Sequence, residues 1–193
     1  MLESLFPITQ PLCIERGQVR SAVPPPRALL PGSFNPLHRG HTALARAAAL
    51  RLGCDVHYEL SWHNVDKPPL SPDEVERRVA QFVTIGPLWL TQAPTFLDKA
   101  ALFPGAAFVV GWDTAIRVID PKYYGSVAAR DAALRRLLAY GCRLVVGGRI
   151  DGQGVFRVWH DHEWSREFGP LFMALSEGDF REDISSTQLR GGR

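Results

Sequence analysis

At 193 residues the chain is long enough to bury a core as one domain, and 46% hydrophobic with 22% charged residues excludes a disordered polymer. Lysine plus arginine total 22 against 20 for aspartate plus glutamate, a net charge of +2, which speaks against nucleic-acid or membrane-surface partners. Three cysteines (Cys13, Cys54, Cys142) with no CxxC spacing, no signal-peptide pattern and no apolar run of about 20 residues lead us to expect a cytoplasmic protein with free thiols.

Residues 1–26 mix short apolar pieces with Pro7, Pro11 and Gly17 and end in Pro24-Pro25-Pro26. A proline run fixes φ and favours extended chain, so we expect an N-terminal arm over 1–26 and one domain over 27–193. Arg27–Phe34 reads as a strand turning at Gly32. The Ala/Leu-rich stretch Arg39–Leu52 reads as a helix stopped by Gly53. Asp55–Leu60 is a second strand, and the prolines of 61–70 make that stretch a loop. Ser71-Pro72-Asp73-Glu74 offers a cap, a proline for the first turn and a glutamate for a capping box, opening a helix towards Thr84.

Leu88–Thr91 is a strand and Thr95–Phe103 a helix ended by Pro104-Gly105. Ala106–Gly111 is continuously apolar, as in a strand buried on both faces. Trp112–Ile119 and Ser126–Tyr140 read as helices, the second amphipathic, with Arg130 to Arg136 on its solvated face. Leu144–Val146, Val155–Trp159 and Leu171–Leu175 read as strands, with Gly147-Gly148-Arg149 a turn. Asp183–Arg190 is a polar loop leading into a short helix. The fold class that follows is α/β: Rossmann-like, with a mostly parallel sheet and helices on both faces. Ligands of such sheets bind beyond the carboxyl ends of the strands, so residues after each strand are the functional candidates.

Gly32-Ser33-Phe34-Asn35-Pro36-Leu37-His38-Arg39-Gly40-His41 lies between the first strand and the first helix. Glycine lets backbone approach a ligand, and a helix N-terminus offers free N–H groups and a positive dipole end: an anion site. His38 and His41, three apart, can share one side of the first helical turn and donate to phosphate oxygens. Ser185, Ser186 and Thr187 place three hydroxyls at a helix start, with Arg190 a turn later. They can cap the helix or hold a second part of a phosphate chain. Trp62 and Trp112 can stack on a ring or belong to the core. His160-Asp161-His162-Glu163 lacks the spacing of a metal site and reads as a polar loop, so no protein-held metal is expected.

The ten residues from Gly32 to His41 resemble the HxGH signature of the nucleotidylyltransferase superfamily. They are most similar to that of the nicotinamide and nicotinate mononucleotide adenylyltransferases, and Ile184-Ser185-Ser186-Thr187 with Arg190 resembles the superfamily's ISSTxxR motif. The resemblance implies attack by an acceptor phosphate on the α-phosphate of ATP, or of CTP, with pyrophosphate leaving and Mg²⁺ accompanying the triphosphate. His38, His41 and Arg190 would be catalytic. Gly32, Ser33, Phe34, Asn35, Gly40, Gly111, Asp113, Ile184, Ser185, Ser186 and Thr187 would hold the nucleotide. Asn64, Lys67 and Trp112 would meet the acceptor. Asp113 follows a buried strand and would take ribose hydroxyls or cap the next helix, and Lys67 is otherwise an exposed loop lysine. The expected partners are ATP or CTP and a phosphorylated small molecule, with no nucleic acid and no membrane, and a homo-oligomer is an open state. A cytidylyltransferase, an adenylyltransferase of another acceptor and a non-catalytic nucleotide sensor are the alternatives.

Overall fold

The computed structural model describes residues 10–63, 68–151, 153–159 and 167–181. In chain order the elements are β1 (Leu12–Glu15), β2 (Gln18–Arg20), β3 (Ala28–Pro31), α1 (Arg39–Leu52), β4 (His57–Ser61), α2 (Pro72–Val79) and β5 (Leu88–Thr91). They continue as α3 (Phe96–Leu102), β6 (Ala107–Gly111), α4 (Trp112–Ile119), α5 (Val127–Ala139), β7 (Arg143–Gly147), β8 (Arg149–Ile150), β9 (Phe156–Arg157) and β10 (Phe172–Ala174). Eight strands form one sheet in the order β10-β7-β6-β3-β4-β5-β1-β2, and β8 pairs with β9 apart from it. The strands from β10 to β5 are all parallel. Numbered among themselves, these six run 3-2-1-4-5-6 across the sheet, the order of a doubly wound dinucleotide-binding fold.

The period of two along each strand divides the core. Leu30, Tyr58, Leu60, Leu88, Leu90 and Val109 face α1 and α2, while Leu29, Trp89, Phe108, Val110, Leu144 and Val146 face α3, α4 and α5. Both faces are covered, which is why β3, β6 and most of β7 read as unbroken apolar runs. Alanines 45, 47 and 48 let α1 lie close on the sheet, and Gly53 ends it in the left-handed conformation that glycine adopts without penalty.

Several expectations are corrected. The stretch read as an arm carries the hairpin β1-β2, whose first strand pairs antiparallel with β5. Its two-residue turn has positive φ at both Arg16 and Gly17, the conformation whose twist matches a hairpin. The prolines flank these strands and do not interrupt them, so no ladder hydrogen bond is lost. Cys13 joins one core and Ile14 the other, and burying Ile14 contributes about 2 kcal/mol. Ser71 caps α2 by accepting from the Glu74 N–H, but the Glu74 carboxylate turns to Arg77 and Arg78 and forms no capping box. The helix gives way to a 3₁₀ turn at Ala80–Phe82, short of Thr84. Arg149 belongs to a strand and not to a turn, and its partner β9 is shorter than the 155–159 read from sequence. On α5, Arg130 is partly buried and donates to the Ile119 carbonyl at 3.2 Å, so its arginines are not all solvated.

Candidate active site

The order in which successive strands are added to the sheet reverses between β3 and β6, which lie side by side and parallel. The carboxyl ends of these two strands carry Gly32–His41 and Gly111–Asp113. Segments separated by some seventy residues in the sequence therefore meet at the switch point, where ligands of such sheets bind.

The turn after β3 is shaped by a ring folded under it. Phe34 adopts φ 45° and is 1% exposed. Its ring meets Tyr58, Phe82 and His41 edge-on, at 5.8, 4.9 and 5.1 Å. A Cβ on Gly32 would stand 2.7 Å from that ring, so only glycine fits. The side chain of Phe34 is thus core, and only its backbone is available to a nucleotide. The Gly32 N–H donates to the Glu59 carbonyl at 3.0 Å, tying the turn to β4.

Helix α2 braces the same turn from outside. Arg78 donates to the Ser33 carbonyl at 2.7 Å, and Gln81 donates to the Phe34 carbonyl at 3.0 Å. Gln81 also accepts from the Leu37 N–H at 2.8 Å, and Arg77 donates to the Asn35 side-chain oxygen at 2.8 Å. Both arginines are held by Glu74, and these hydrogen bonds pull its carboxyl down to about 2. Nothing in the local sequence announces this clamp, because its partners lie more than forty positions apart.

His38 is the N-cap of α1 in extended conformation, Gly40 is buried in the first turn, and His41 stands at the third helical position. The His38 N–H donates to His41 Nδ1 at 3.2 Å, the backward reach that a glutamate makes in a capping box. With Nδ1 accepting, the proton of neutral His41 sits on Nε2, which remains a donor. Burial, and secondly the neighbouring His38, lower the His41 pKa to about 4, so this imidazole is neutral at physiological pH. The two rings lie 3.8 Å apart between centroids. The turn therefore presents the neutral His41 donor and the positive end of a helix, which suits an anion that brings its own charge.

At the neighbouring strand end, Gly111 is the N-cap of α4 and supplies no side chain to it. Asp113, in the first turn, does not cap the helix; its carboxylate accepts from the Arg149 guanidinium, both side chains being about half exposed. The sequence reading assigns Arg149 to a turn and to no role in the site, although it follows two glycines at the end of a strand. Those glycines are sterically required: a Cβ on Gly147 would lie 2.6 Å from Leu44, and one on Gly148 would lie 2.5 Å from the Arg157 carbonyl. Trp112 packs edge-on against buried Trp159 at 5.5 Å, and Trp159 stacks on Phe172 at 4.7 Å. Trp62 flanks the first core and lies 4.5 Å from the His63 ring.

Asn64, Lys67, Ile184, Ser185, Ser186, Thr187 and Arg190 lie outside the described residues, as does the 160–163 segment. The last described stretch, however, leads back to the site. Phe180 packs on the core that contains Leu44 of α1, beside Gly147. Among the described residues no helix is long and apolar enough to cross a membrane.

Residues 29–192 match the family described as cytidylyltransferase-like. The chain is also 30% identical over 174 residues to a probable nicotinate-nucleotide adenylyltransferase of Gloeobacter violaceus (strain ATCC 29082 / PCC 7421), covering 82% of this chain and 79% of that protein. With a Rossmann-like sheet and an HxGH turn at its switch point, the chain belongs to the cytidylyltransferase-like family and is a nucleotidyltransferase.

Proposed function

We propose that the protein transfers AMP from ATP to nicotinate or nicotinamide mononucleotide and releases pyrophosphate. The observation that carries this reading is the pair His38 and His41 at the N-terminus of α1, with His41 held neutral, set at the switch point. The choice of acceptor rests on the Gloeobacter relative, whose name specifies nicotinate nucleotide.

In this reading an oxygen of the acceptor phosphate attacks the α-phosphorus of ATP. The bond from that phosphorus to the bridging oxygen breaks, and pyrophosphate leaves with the electron pair. The nucleophile belongs to the substrate, so the protein positions and stabilises charge and forms no covalent bond of its own. His38 and His41 donate to the phosphates as charge builds. Backbone at Gly32, Ser33, Phe34, Asn35 and Gly40 lines the phosphate turn, where the α2 clamp fixes its shape. Gly111 and Asp113 receive the nucleoside, Asp113 being oriented by Arg149. Ser185, Ser186, Thr187 and Arg190, with Ile184, hold the leaving phosphates, and the packing of Phe180 near α1 supports that approach. Asn64, Lys67 and Trp112 recognise the acceptor.

The imidazoles of His38 and His41 and the backbone amides of the phosphate turn donate to phosphate and are not hard oxygen ligands. They fit Mg²⁺ carried on the triphosphate oxygens, where it would neutralise phosphate charge.

The test is pyrophosphate release with Mg²⁺, crossing ATP and CTP against nicotinate mononucleotide, nicotinamide mononucleotide, phosphopantetheine and glycerol phosphate. Release with ATP and a pyridine mononucleotide is expected. Because the family is described by cytidylyl transfer, CTP is the rival donor. Release with CTP, or with another acceptor alone, replaces the substrate assignment.

A further inference from the structure

A charged cluster lies buried between β4, β5 and α3, in residues that neither the HxGH turn nor the α4 entrance uses. Glu59 is 0% exposed, Thr91 0% and Lys99 5%. Lys99 Nζ stands 3.0 and 2.9 Å from the two Glu59 carboxylate oxygens, and the Thr91 hydroxyl donates to Glu59 at 2.5 Å. Taking two charges out of water is costly, and apolar residues of similar volume commonly stabilise a fold as well or better. Stability alone is therefore a poor account of this pair. What apolar residues could not supply is a grip on backbone.

That grip falls on one peptide unit. Lys99 Nζ donates to the Ala93 carbonyl at 2.5 Å, while the Ala93 N–H donates to the Thr91 hydroxyl at 3.1 Å. The turn that leaves the carboxyl end of β5 is thus held on both polar groups of Ala93. It borders a cavity of about 480 Å³ whose lining includes Gln10, His63, Gln92, Ala93, Pro94 and Asp98. Glu59 also joins this turn to the phosphate turn, since its backbone carbonyl accepts from Gly32 while its side chain holds Lys99. The two turns are two strand spacings apart, about 10 Å, along the same edge of the sheet. The β4 loop, which leads to Asn64 and Lys67, leaves that edge between them.

We propose that Lys99, anchored by Glu59, is a positioning residue that holds the 92–95 turn in the shape that receives the acceptor. The inference rests on the reading that a phosphorylated acceptor binds along this edge beyond the HxGH turn. Lys99 does not touch the reacting atoms; it acts through Ala93.

The experiment compares wild type with Lys99→Met and with the double variant Glu59→Leu/Lys99→Met. The single variant leaves a buried carboxylate without its counter-charge, so the double variant, apolar at both positions, supplies the folded comparison. Two readouts are taken: amide exchange at Ala93 against amides of α1, and KM for acceptor and for nucleotide together with kcat. In the folded double variant, Ala93 exchange and acceptor KM should each rise about tenfold, the worth of one charge-assisted hydrogen bond. Nucleotide KM and kcat should stay within about twofold, the signature of lost acceptor binding. Unchanged Ala93 exchange, an unchanged acceptor KM or an equal rise in both KM values would overturn the inference. Wild-type protein silent with pyridine mononucleotides would overturn the substrate reading alone. Lys99 would then be judged by the KM split for the acceptor that does support pyrophosphate release, and by Ala93 exchange, which needs no acceptor.

Discussion

The turns after β3 and β6 leave neighbouring strands at the same edge of the sheet, yet α2 braces only the first. Around Gly32–His41, buried Phe34 fills the space beneath, and Arg77, Arg78 and Gln81 hold the loop from outside. Around Gly111–Asp113, the Asp113 carboxylate meets Arg149 in an ion pair open to solvent. Exposed pairs of that kind are worth little to stability. On the proposed function, a turn that must present donors at fixed positions to a reacting phosphate gains from preorganisation, whereas one that follows a nucleoside can be set when the ligand arrives. Of these two turns, the one built to be rigid is the turn after β3.

The largest effect expected is on chemistry. His41→Ala should fold and lose about 10²–10³ in kcat, as when one charge-stabilising donor is removed. Wild-type turnover by the folded variant would remove the α1 turn from the mechanism, and the comparison with it. Next comes the clamp. Arg78 is 7% exposed, and Arg78→Ala should lower stability to urea by about 2–3 kcal/mol, through the orphaned Ser33 carbonyl and the lost pair with Glu74. Arg149→Ala should change it by no more than about 0.5 kcal/mol. Equal costs would mean the two turns are braced alike.

The glycines sharpen the contrast further. Gly32→Ala forces a Cβ to 2.7 Å from the Phe34 ring and should cost about 1–3 kcal/mol by overpacking. At Gly111 a Cβ meets nothing within 4 Å and φ is −77°, so Gly111→Ala should cost under about 1 kcal/mol. Turnover lost in a stable Gly111→Ala protein would then report a ligand passing close to the backbone.

The smallest effect is in pH dependence, and it too belongs to the first turn. Folding holds the His41 pKa near 4, below its ordinary 6.5, so the unfolded chain takes up the proton first. Stability should fall as pH drops from about 6.5 towards 4, and His41→Ala should flatten that part of the curve. Glu74 is held near 2, below its ordinary 4.5, so its contribution is full above 4.5 and fades as pH falls towards 2. Denaturant midpoints measured from pH 7 to 3 test both; a flat wild-type profile between 6.5 and 4 would contradict the burial of neutral His41.

Much of this was legible in the sequence. Arg39–Leu52, Leu88–Thr91 and Trp112–Ile119 form as read, because capping residues, glycine stops and apolar period are local signals. The HxGH turn was legible as an anion site for the same reason. Its bracing by Arg77, Arg78 and Gln81 was not, since a side chain reaching a carbonyl forty positions away leaves no periodic trace. The hairpin β1-β2 was hidden behind its flanking prolines, and the β8-β9 pair behind Gly147-Gly148.

From its own local chemistry the chain determined an α/β order of elements, a glycine- and histidine-bearing turn after the first strand of the parallel set, and a balanced charge. The tertiary structure alone decided that Gly111–Asp113 stands beside that turn, that Asp113 meets Arg149, and that Glu59 and Lys99 share one buried position. Strand order brings these groups together, and strand order follows from burying both faces of a sheet at once, a condition on the whole chain that no short window of residues contains.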